Sequence, residues 1–474
     1  MIKKTKIVAT ISDKTSSPDF IKALHNQGMD VVRMNTAHMN RDNAQKLIND
    51  VREVSDKIAL LIDTKGPEVR TSSTNKAINL EANQEILIKG NPDKESTDEC
   101  IYVSYKDFVK DVPDNANILI DDGYVELQVI EKTNDALLCK ATNNGVVKGR
   151  KSVNVPNVSF NLPSISSRDK DFIDFAIEQD IDFIAHSFVR SKDDVLEIQK
   201  ILDKHNSEIK IIAKIENQQG VDNIDEILDH VYGVMVARGD LAVEIPYEKI
   251  PGLQRYLISK CIEKRKPVII ATQMLHSMID NPRPTRAEVN DVASAVYRNA
   301  DAVMLSGETA NGAYPIEAVK TMATIAKEVE KSKEPINDIP IVVINNEVSA
   351  SLIKSSVKAA VDLNAKALIA DSMSGRTLRS LAAYRGAKPI FAQCYSKRTM
   401  REMALSYGVV PNYMEQKGTS HEFLSEALNN LIDNYPFSKD DLFVVAAGNF
   451  GRSYGVSYTE IGTLENLTQT TKLL

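Results

Sequence analysis

The chain has 474 residues, 58 basic and 65 acidic, giving a net charge of −7 with 43% apolar and 26% charged residues. This is the composition of a soluble globular protein, long enough for roughly two to four domains. The two signs are mixed along the chain, which argues against nucleic acid or another polyanion as a partner. Cys100, Cys139, Cys261 and Cys394 are far apart and form no CxxC pattern, so reduced thiols are expected and not a disulfide frame or a zinc site. Lys3, Lys4 and Lys6 precede an apolar run of only Ile7-Val-Ala, too short for a signal peptide, and no stretch approaches a membrane span. The expectation is a cytoplasmic enzyme or binding protein.

Taken in chain order, short apolar runs alternate with amphipathic helical segments. The predicted strands are Lys6–Ile11, Asp30–Asn35, Ala59–Asp63, Ile181–Ser187, Ile209–Ile215, Tyr232–Ala237, Pro267–Thr272 and Ala302–Leu305. Eight strands with helices between them predict a (β/α)8 barrel, with a doubly wound open sheet as the alternative. Between Glu68 and Leu162 the helical period vanishes. Short β-like pieces replace it at Ala77–Leu80, Glu85–Lys89, Asn117–Ile120, Tyr124–Val129 and Ala136–Ala141. They predict an all-β domain inserted into a barrel loop and hinged near Pro67 and Pro163, a lid over the barrel mouth. The charged stretch Lys331–Pro335 and Asn337–Pro340 predicts a boundary. Beyond it, a helix near Glu347–Leu363 and strands at Ala367–Ala370, Pro389–Ala392 and Leu442–Val445 predict a separate α/β domain. The expected division is barrel at 1–66 and 164–332, lid at 67–163, and C-terminal domain at 333–474.

Barrel active sites lie at the C-terminal ends of the strands, and polar residues collect there in nearly every strand. Strand two ends Arg33-Met-Asn35-Thr-Ala-His38, and strand three ends Asp63-Thr64-Lys65-Gly66-Pro67-Glu68 before Arg70. Strand four ends His186-Ser187-Phe188, five Lys214-Ile-Glu216, six Arg238-Gly239-Asp240, seven Thr272-Gln273 and eight Ser306-Gly307-Glu308-Thr309. Lys214 and Glu216 are two apart, so on a strand they point to the same side. A lysine beside two carboxylates suits a hard divalent cation next to a fixed ammonium, and a substrate carrying phosphate and a developing oxyanion. A structural salt bridge between Lys214 and Glu216 is the alternative.

These ends resemble the pyruvate kinase family. The matching pieces run through the barrel in the family's order: Thr5-Lys-Ile-Val, Arg33-Met-Asn35, Asp63-Thr-Lys-Gly-Pro-Glu-Val-Arg70, Asp182-Phe-Ile-Ala, Ser187-Phe-Val-Arg190, Ala213-Lys-Ile-Glu216, Met235-Val-Ala-Arg-Gly-Asp-Leu241, Ala271-Thr-Gln-Met-Leu275, Asn281-Pro-Arg-Pro-Thr-Arg-Ala-Glu288 and Met304-Leu-Ser-Gly-Glu-Thr-Ala310. The resemblance implies phosphoryl transfer from phosphoenolpyruvate to ADP, the last step of glycolysis, in a homotetramer. It implies Glu216 and Asp240 as ligands of Mg²⁺ or Mn²⁺, and Lys214 as the group that neutralises the transferring phosphoryl and the enolate oxygen. It also implies Arg33 on the phosphate, and Gly239, Asp240 and Thr272 on the substrate carboxylate, with Thr272 where the enolate carbon is protonated. Asn35, Asp63 and the backbone of Thr64 match ligands of K⁺, and Glu68 is the residue type of K⁺-dependent members. His38, Arg70 and Lys151 fall on the nucleotide side.

Two further motifs come from the same resemblance. Thr285-Arg-Ala-Glu288 reads as a capping box, and in the family Arg286 lines a neighbouring subunit's site. Ser372-Met-Ser374-Gly375-Arg376-Thr377 resembles a loop that takes a sugar-phosphate effector, with a plain helix cap as the alternative. The chain also departs from the family. Ala37 replaces a serine ligand of K⁺, Ser12-Asp13 replace Gly-Pro, and Thr36 and Met39 replace Phe and Gly. Ala242, His276 and Arg298-Asn299 depart as well, and Gly448–Gly455 matches poorly. Two other readings stay open: a metal-dependent barrel lyase or aldolase, and a homologue that binds metabolites without turnover.

Overall fold

The computed structural model describes residues 2–333, 346–448 and 455–473. Much of the charged boundary stretch and most of Gly448–Gly455 lie outside the described residues. Eight parallel strands close into a barrel: Lys6–Thr10, Val31–Asn35, Ala59–Asp63, Phe183–His186, Lys210–Ile215, Gly233–Ala237, Val268–Ala271 and Ala302–Leu305. Neighbours pair in chain order, and the first strand pairs with the last, Lys6 opposite Ala302. The open-sheet alternative is therefore overturned. These strands are apolar on both faces because both are covered. Val8, Leu61, Phe183, Ile212, Met235, Ile269 and Met304 fill the interior. The alternating Ile7, Val32, Leu60, Ile184, Ile211, Val234, Ile270 and Val303 pack under the outer helices.

The β-domain enters after Asp63 and has its own core around Ile88, Phe108, Leu127 and Val129. Its main sheet runs Val153–Asn154, Asn117–Ile120, Val125–Lys132, Leu137–Ala141, Glu85–Gly90, Cys100–Val103, and a ribbon pairs Ile78–Leu80 with Gly145–Val147. The strands Cys100–Val103, Gly145–Val147 and Val153–Asn154 are additional to the predicted ones; each has only two to four residues, too few for a period to register.

The C-terminal sheet has the order Val409–Tyr413, Ile390–Cys394, Ala367–Ser372, Leu442–Ala447, Tyr458–Thr463, with only the last strand antiparallel. The two edge strands are missing from the sequence reading. Pro411 in the first and Gly462 in the second break the strand signal, and both residues are tolerated at an edge.

This domain docks under the N-terminal ends of the barrel strands through charge. Arg385 grips Asp301 at 3.0 and 2.5 Å with both groups buried. Arg401 holds Asp182 at 2.6 Å, and Arg52 reaches the same carboxylate at 3.3 Å. Lys6 Nζ donates to the Val409 carbonyl at 2.5 Å, and Gly408 N donates to Lys4 O at 2.9 Å. On the barrel itself, the carboxylate of Glu330, on helix Pro315–Ser332, accepts from the backbone N–H groups of Lys4 and Thr5 and from the Thr5 hydroxyl. Among the described residues, no helix is long and apolar enough to cross a membrane.

Candidate active site

Lys214 stands on strand Lys210–Ile215 with its side chain turned into the mouth of the barrel, 9% exposed. Its ammonium meets three oxygens: Ser187 Oγ at 2.7 Å, Glu216 Oε1 at 3.0 Å and Asp63 Oδ1 at 3.1 Å. An ammonium has three N–H donors, so the group is fixed in place. Burial opposes its charge, but Asp63 and Glu216 outweigh burial and hold the Lys214 pKa above its usual value. The salt bridge offered as a structural alternative is thus present, and it is also what aims the ammonium.

Asp63 is shared. Arg33 Nε donates to Asp63 Oδ2 at 2.6 Å while Arg33 Nη1 donates to Thr10 Oγ1 at 2.8 Å. Burial would raise the Asp63 carboxyl, yet Arg33 and Lys214 together hold it low. Arg33, Asp63, Lys214 and Glu216 therefore form one continuous charged chain across three strands. Arg33 Nη2 has no partner among the described residues.

Glu216 is 1% exposed and accepts from Phe188 N at 2.7 Å. Burial pushes its carboxyl up to about 7 despite Lys214, and Asp240 and Asp63 add to the rise. Asp240, in the first turn of helix Arg238–Glu244, is raised as well, chiefly by burial. Two adjacent carboxylates whose charges are incompletely met fit a hard divalent cation. No group of three or more His, Cys, Asp or Glu converges on one point among the described residues. Other ligands would have to come from substrate and water.

Thr272 follows strand Val268–Ala271 in a left-handed conformation at φ +68°, and Gln273 follows at +53°. Two consecutive left-handed residues, one β-branched, are costly. Arg238 holds this turn, donating to the Thr272 carbonyl at 2.7 Å and the Ala271 carbonyl at 3.3 Å, and pairing with Asp291 at 2.6 Å. The Thr272 hydroxyl donates to Ala271 O at 2.7 Å and accepts from Gly239 N at 2.8 Å. Strands six and seven are thus tied at their ends.

Asn35 and Asp63 are in register on adjacent strands, and Asn35 Oδ1 accepts from Ala37 N at 3.1 Å. The Thr64 carbonyl accepts from Ser187 Oγ at 2.7 Å. An all-oxygen set, neutral except for Asp63, fits a weakly hydrated monovalent cation. Ser187 touches Lys214, Asp63 and Thr64 at once. It and Arg238 are absent from the sequence-derived site, although both stand at strand ends. Gly66, at φ +71°, lies against Ser187: a Cβ there would come within 2.7 Å of Ser187 Cβ and 2.9 Å of Phe188 Cδ2. Gly66→Ala is expected to cost about 1–3 kcal/mol of stability and to lower turnover by displacing Ser187. Urea denaturation and steady-state kinetics on the same variant check both; unchanged values would show that the loop yields.

Among the described residues, the remaining predicted residues make no hydrogen bond or ion pair to Arg33, Asp63, Lys214 or Glu216. His38 is exposed, and its backbone N–H donates to Asn35 O at 3.2 Å. Arg70 pairs with Glu68 at 2.8 Å and donates to Arg150 O at 2.7 Å. Lys151 pairs with Asp121 at 2.8 Å, and its carbonyl accepts from Thr71 N. Thr285 and Glu288 form the expected capping box, and Arg286 is exposed. In the C-terminal domain, Ser372 is buried while Ser374 and Arg376 are exposed and Thr377 is half-buried. Gly375, at φ +72°, caps helix Arg376–Ala383, with no side chain capping that end.

The family model described as pyruvate kinase, barrel domain, matches residues 2–319, and that of the pyruvate kinase alpha/beta domain matches residues 350–460. A curated pyruvate kinase from Borreliella burgdorferi is 45% identical over 470 residues, 98% of each chain. One from Staphylococcus epidermidis is 44% identical over 457 residues, 94% of this chain and 78% of the relative. The crystal structure of a pyruvate kinase from Cryptosporidium parvum aligns with a TM-score of 0.92 at 35% identity, covering 98% of this chain and 96% of that one. With the barrel, the inserted domain and the strand-end cluster in place, the chain belongs to the pyruvate kinase family and is a phosphotransferase.

Proposed function

We propose that the strand-end cluster transfers the phosphoryl group of phosphoenolpyruvate to ADP, and that Lys214 is its central group. The observation that supports this most strongly is the buried ammonium fixed by Ser187, Glu216 and Asp63. The transition state of phosphoryl transfer is loose and needs positioning and neutralisation more than covalent help. As an ADP oxygen bonds to phosphorus and the bond to the enol oxygen breaks, negative charge grows on that oxygen. Lys214 neutralises it without having to reorganise. Arg33, anchored through Nε and Nη1, presents Nη2 to the phosphate. When bound at Glu216 and Asp240, Mg²⁺ or Mn²⁺ supplies positive charge to the substrate's carboxylate and phosphate oxygens.

The substrate carboxylate lies at Gly239 and Asp240; the Asp240 amide is in the first helical turn and lacks a helical acceptor, and the Gly239 amide is shared with Thr272 Oγ1. The Thr272 hydroxyl proton is already committed to Ala271 O. Thr272 accordingly orients a water that protonates the enolate carbon, leaving pyruvate. Asn35, Asp63 and the Thr64 carbonyl hold K⁺. His38, Arg70 and Lys151 hold ADP, a reading supported by Thr71 N–Lys151 O, which sets Arg70 and Lys151 on adjoining backbones. A sugar-phosphate effector binds at Ser372, Ser374, Gly375, Arg376 and Thr377, and the assembly is a homotetramer with Arg286 at a subunit contact.

The test is pyruvate formation from phosphoenolpyruvate and ADP with Mg²⁺, in K⁺ and again in a bulky organic cation. Turnover is expected to rise with K⁺ and to vanish with excess EDTA. Equal rates in both monovalent cations would remove the K⁺ site. No turnover in either, with any nucleoside diphosphate, would favour the homologue that only binds metabolites.

A further inference from the structure

At the opposite end of the barrel from Lys214, the turn after helix Ile250–Glu263 carries Arg265 and Lys266 just ahead of strand Val268–Ala271. Both face the C-terminal domain across a cleft bordered by Arg379, Arg385 and Asp301. Four cationic side chains thus surround one space, contributed by two domains. Asp301 is the one carboxylate on its border, and Arg385 occupies it. Among the described residues, no ion pair involves Arg265, Lys266 or Arg379.

Each of the three is held by a neutral group. Arg265 Nη1 donates to Ser380 Oγ at 3.0 Å, and Lys266 Nζ donates to Val231 O at 2.6 Å. The Arg379 guanidinium lies over the Tyr232 ring at 4.9 Å. Burial pushes the Lys266 pKa down to about 8, and Arg379 adds to the fall; Arg265 is lowered by the same two causes. The charges disfavour one another; Asp229 offsets the fall at Lys266 only in part and Arg379 also feels Glu402, but among the described residues no carboxylate bonds to any of the three. Arg265 also adopts φ +56°, a conformation open to glycine at no steric cost. An arginine kept there, pointing into a cation-lined seam, requires a reason.

We propose that this cleft is an anion-binding site whose ligand is a single tetrahedral oxyanion, phosphate in class, held between the barrel and the C-terminal domain. Guanidinium groups match such oxygens in paired hydrogen bonds, and a lysine adds a point charge. Size favours a compact ion. The cleft is narrow, about 210 Å³ even when its opening to solvent is counted. The long side chains of Arg265 and Lys266 can draw back for one oxyanion but leave no room for a sugar. The site is separate from the strand-end cluster. The Ser372–Thr377 loop does not border the cleft, but Arg379 Nη1 donates to Ser374 O at 3.4 Å and so adjoins both.

The test is thermal unfolding of the full chain in rising inorganic phosphate, with ionic strength held constant by chloride. Phosphate is expected to raise the unfolding temperature of the wild type. Its apparent affinity should fall at least tenfold in Arg265→Gly, which relieves the backbone, and in Lys266→Gln. A Ser374→Ala/Thr377→Val variant should keep the wild-type response. Glycerol phosphate should bind at least tenfold more weakly than free phosphate. Crystals soaked in selenate should show an anomalous peak in the cleft that Arg265→Gly abolishes. Wild-type responses in both cleft variants, peaks confined to the other two anion sites, or chloride acting as well as phosphate would overturn the site. Equal binding of glycerol phosphate would overturn its assignment to a free oxyanion.

Discussion

Lys214→Met is expected to lower kcat for pyruvate formation by about 10³-fold, equivalent to about 4 kcal/mol of transition-state stabilisation. The substitution keeps the length of the stem and removes only the ammonium. On the proposed assignment the ground-state charges of the substrate would be met by Arg33 and by a cation at Glu216 and Asp240, so KM for phosphoenolpyruvate should change little. The charge that appears on the enolate oxygen would then have no fixed partner. Lys214→Arg retains charge, but a planar guanidinium cannot reproduce three contacts to Ser187, Glu216 and Asp63 from one nitrogen. It should recover only part of the loss. Steady-state kinetics with each substrate varied would decide the matter: a kcat within tenfold of wild type in Lys214→Met would sink the assignment. A lower thermal midpoint is also expected, because Asp63 and Glu216 lose a counter-charge.

Arg385→Met carries the largest expected effect on stability, a loss of about 3–5 kcal/mol. Asp301 is 2% exposed and also accepts from Val268 N at 3.1 Å and Tyr407 N at 3.0 Å. Removing the guanidinium leaves those neutral donors and an uncompensated buried charge. The break falls between domains, so it should appear as an early transition in urea, with the C-terminal domain leaving the barrel before the barrel melts. Adding Asp301→Asn should restore more than half of the loss, since the charge that made the vacancy costly is gone. If Arg385→Met stays within about 1 kcal/mol of wild type, water reaches Asp301 and the pair is not the buried contact described.

The barrel was legible because its strands are buried on both faces, and an uninterrupted apolar run ending in charge is visible in one dimension. The predicted strands lie within one or two residues of those observed; Ala59–Asp63 and Ala302–Leu305 coincide. The edge strands at Val409–Tyr413 and Tyr458–Thr463 were not legible, because half-exposed residues, Pro411 and Gly462 carry no such run. In the site, Lys214 and Glu216 could be placed on one side of a strand from their spacing. Ser187 could not be placed, because its importance comes from three partners that are distant in the chain. Arg238 was hidden for the same reason: it acts on the carbonyls of Ala271 and Thr272, and backbone acceptors leave no mark in a sequence. The docking charges Asp182, Asp301, Arg385 and Arg401 read as ordinary surface residues until two domains meet.

The carboxylate of Glu330 bears on how the protein is made. A ribosome releases the first strand hundreds of residues before the side chain that accepts from Lys4 and Thr5, and before Ala302, which the strand must pair with. The inserted β-domain, whose sheets and core are internal to its own stretch, is complete on the nascent chain while the barrel around it is still an open row of strands. Closure waits for the helix bearing Glu330 to emerge. During synthesis the first strand therefore presents an unpaired apolar edge for longer than any other barrel strand, and chaperone protection would be needed there most.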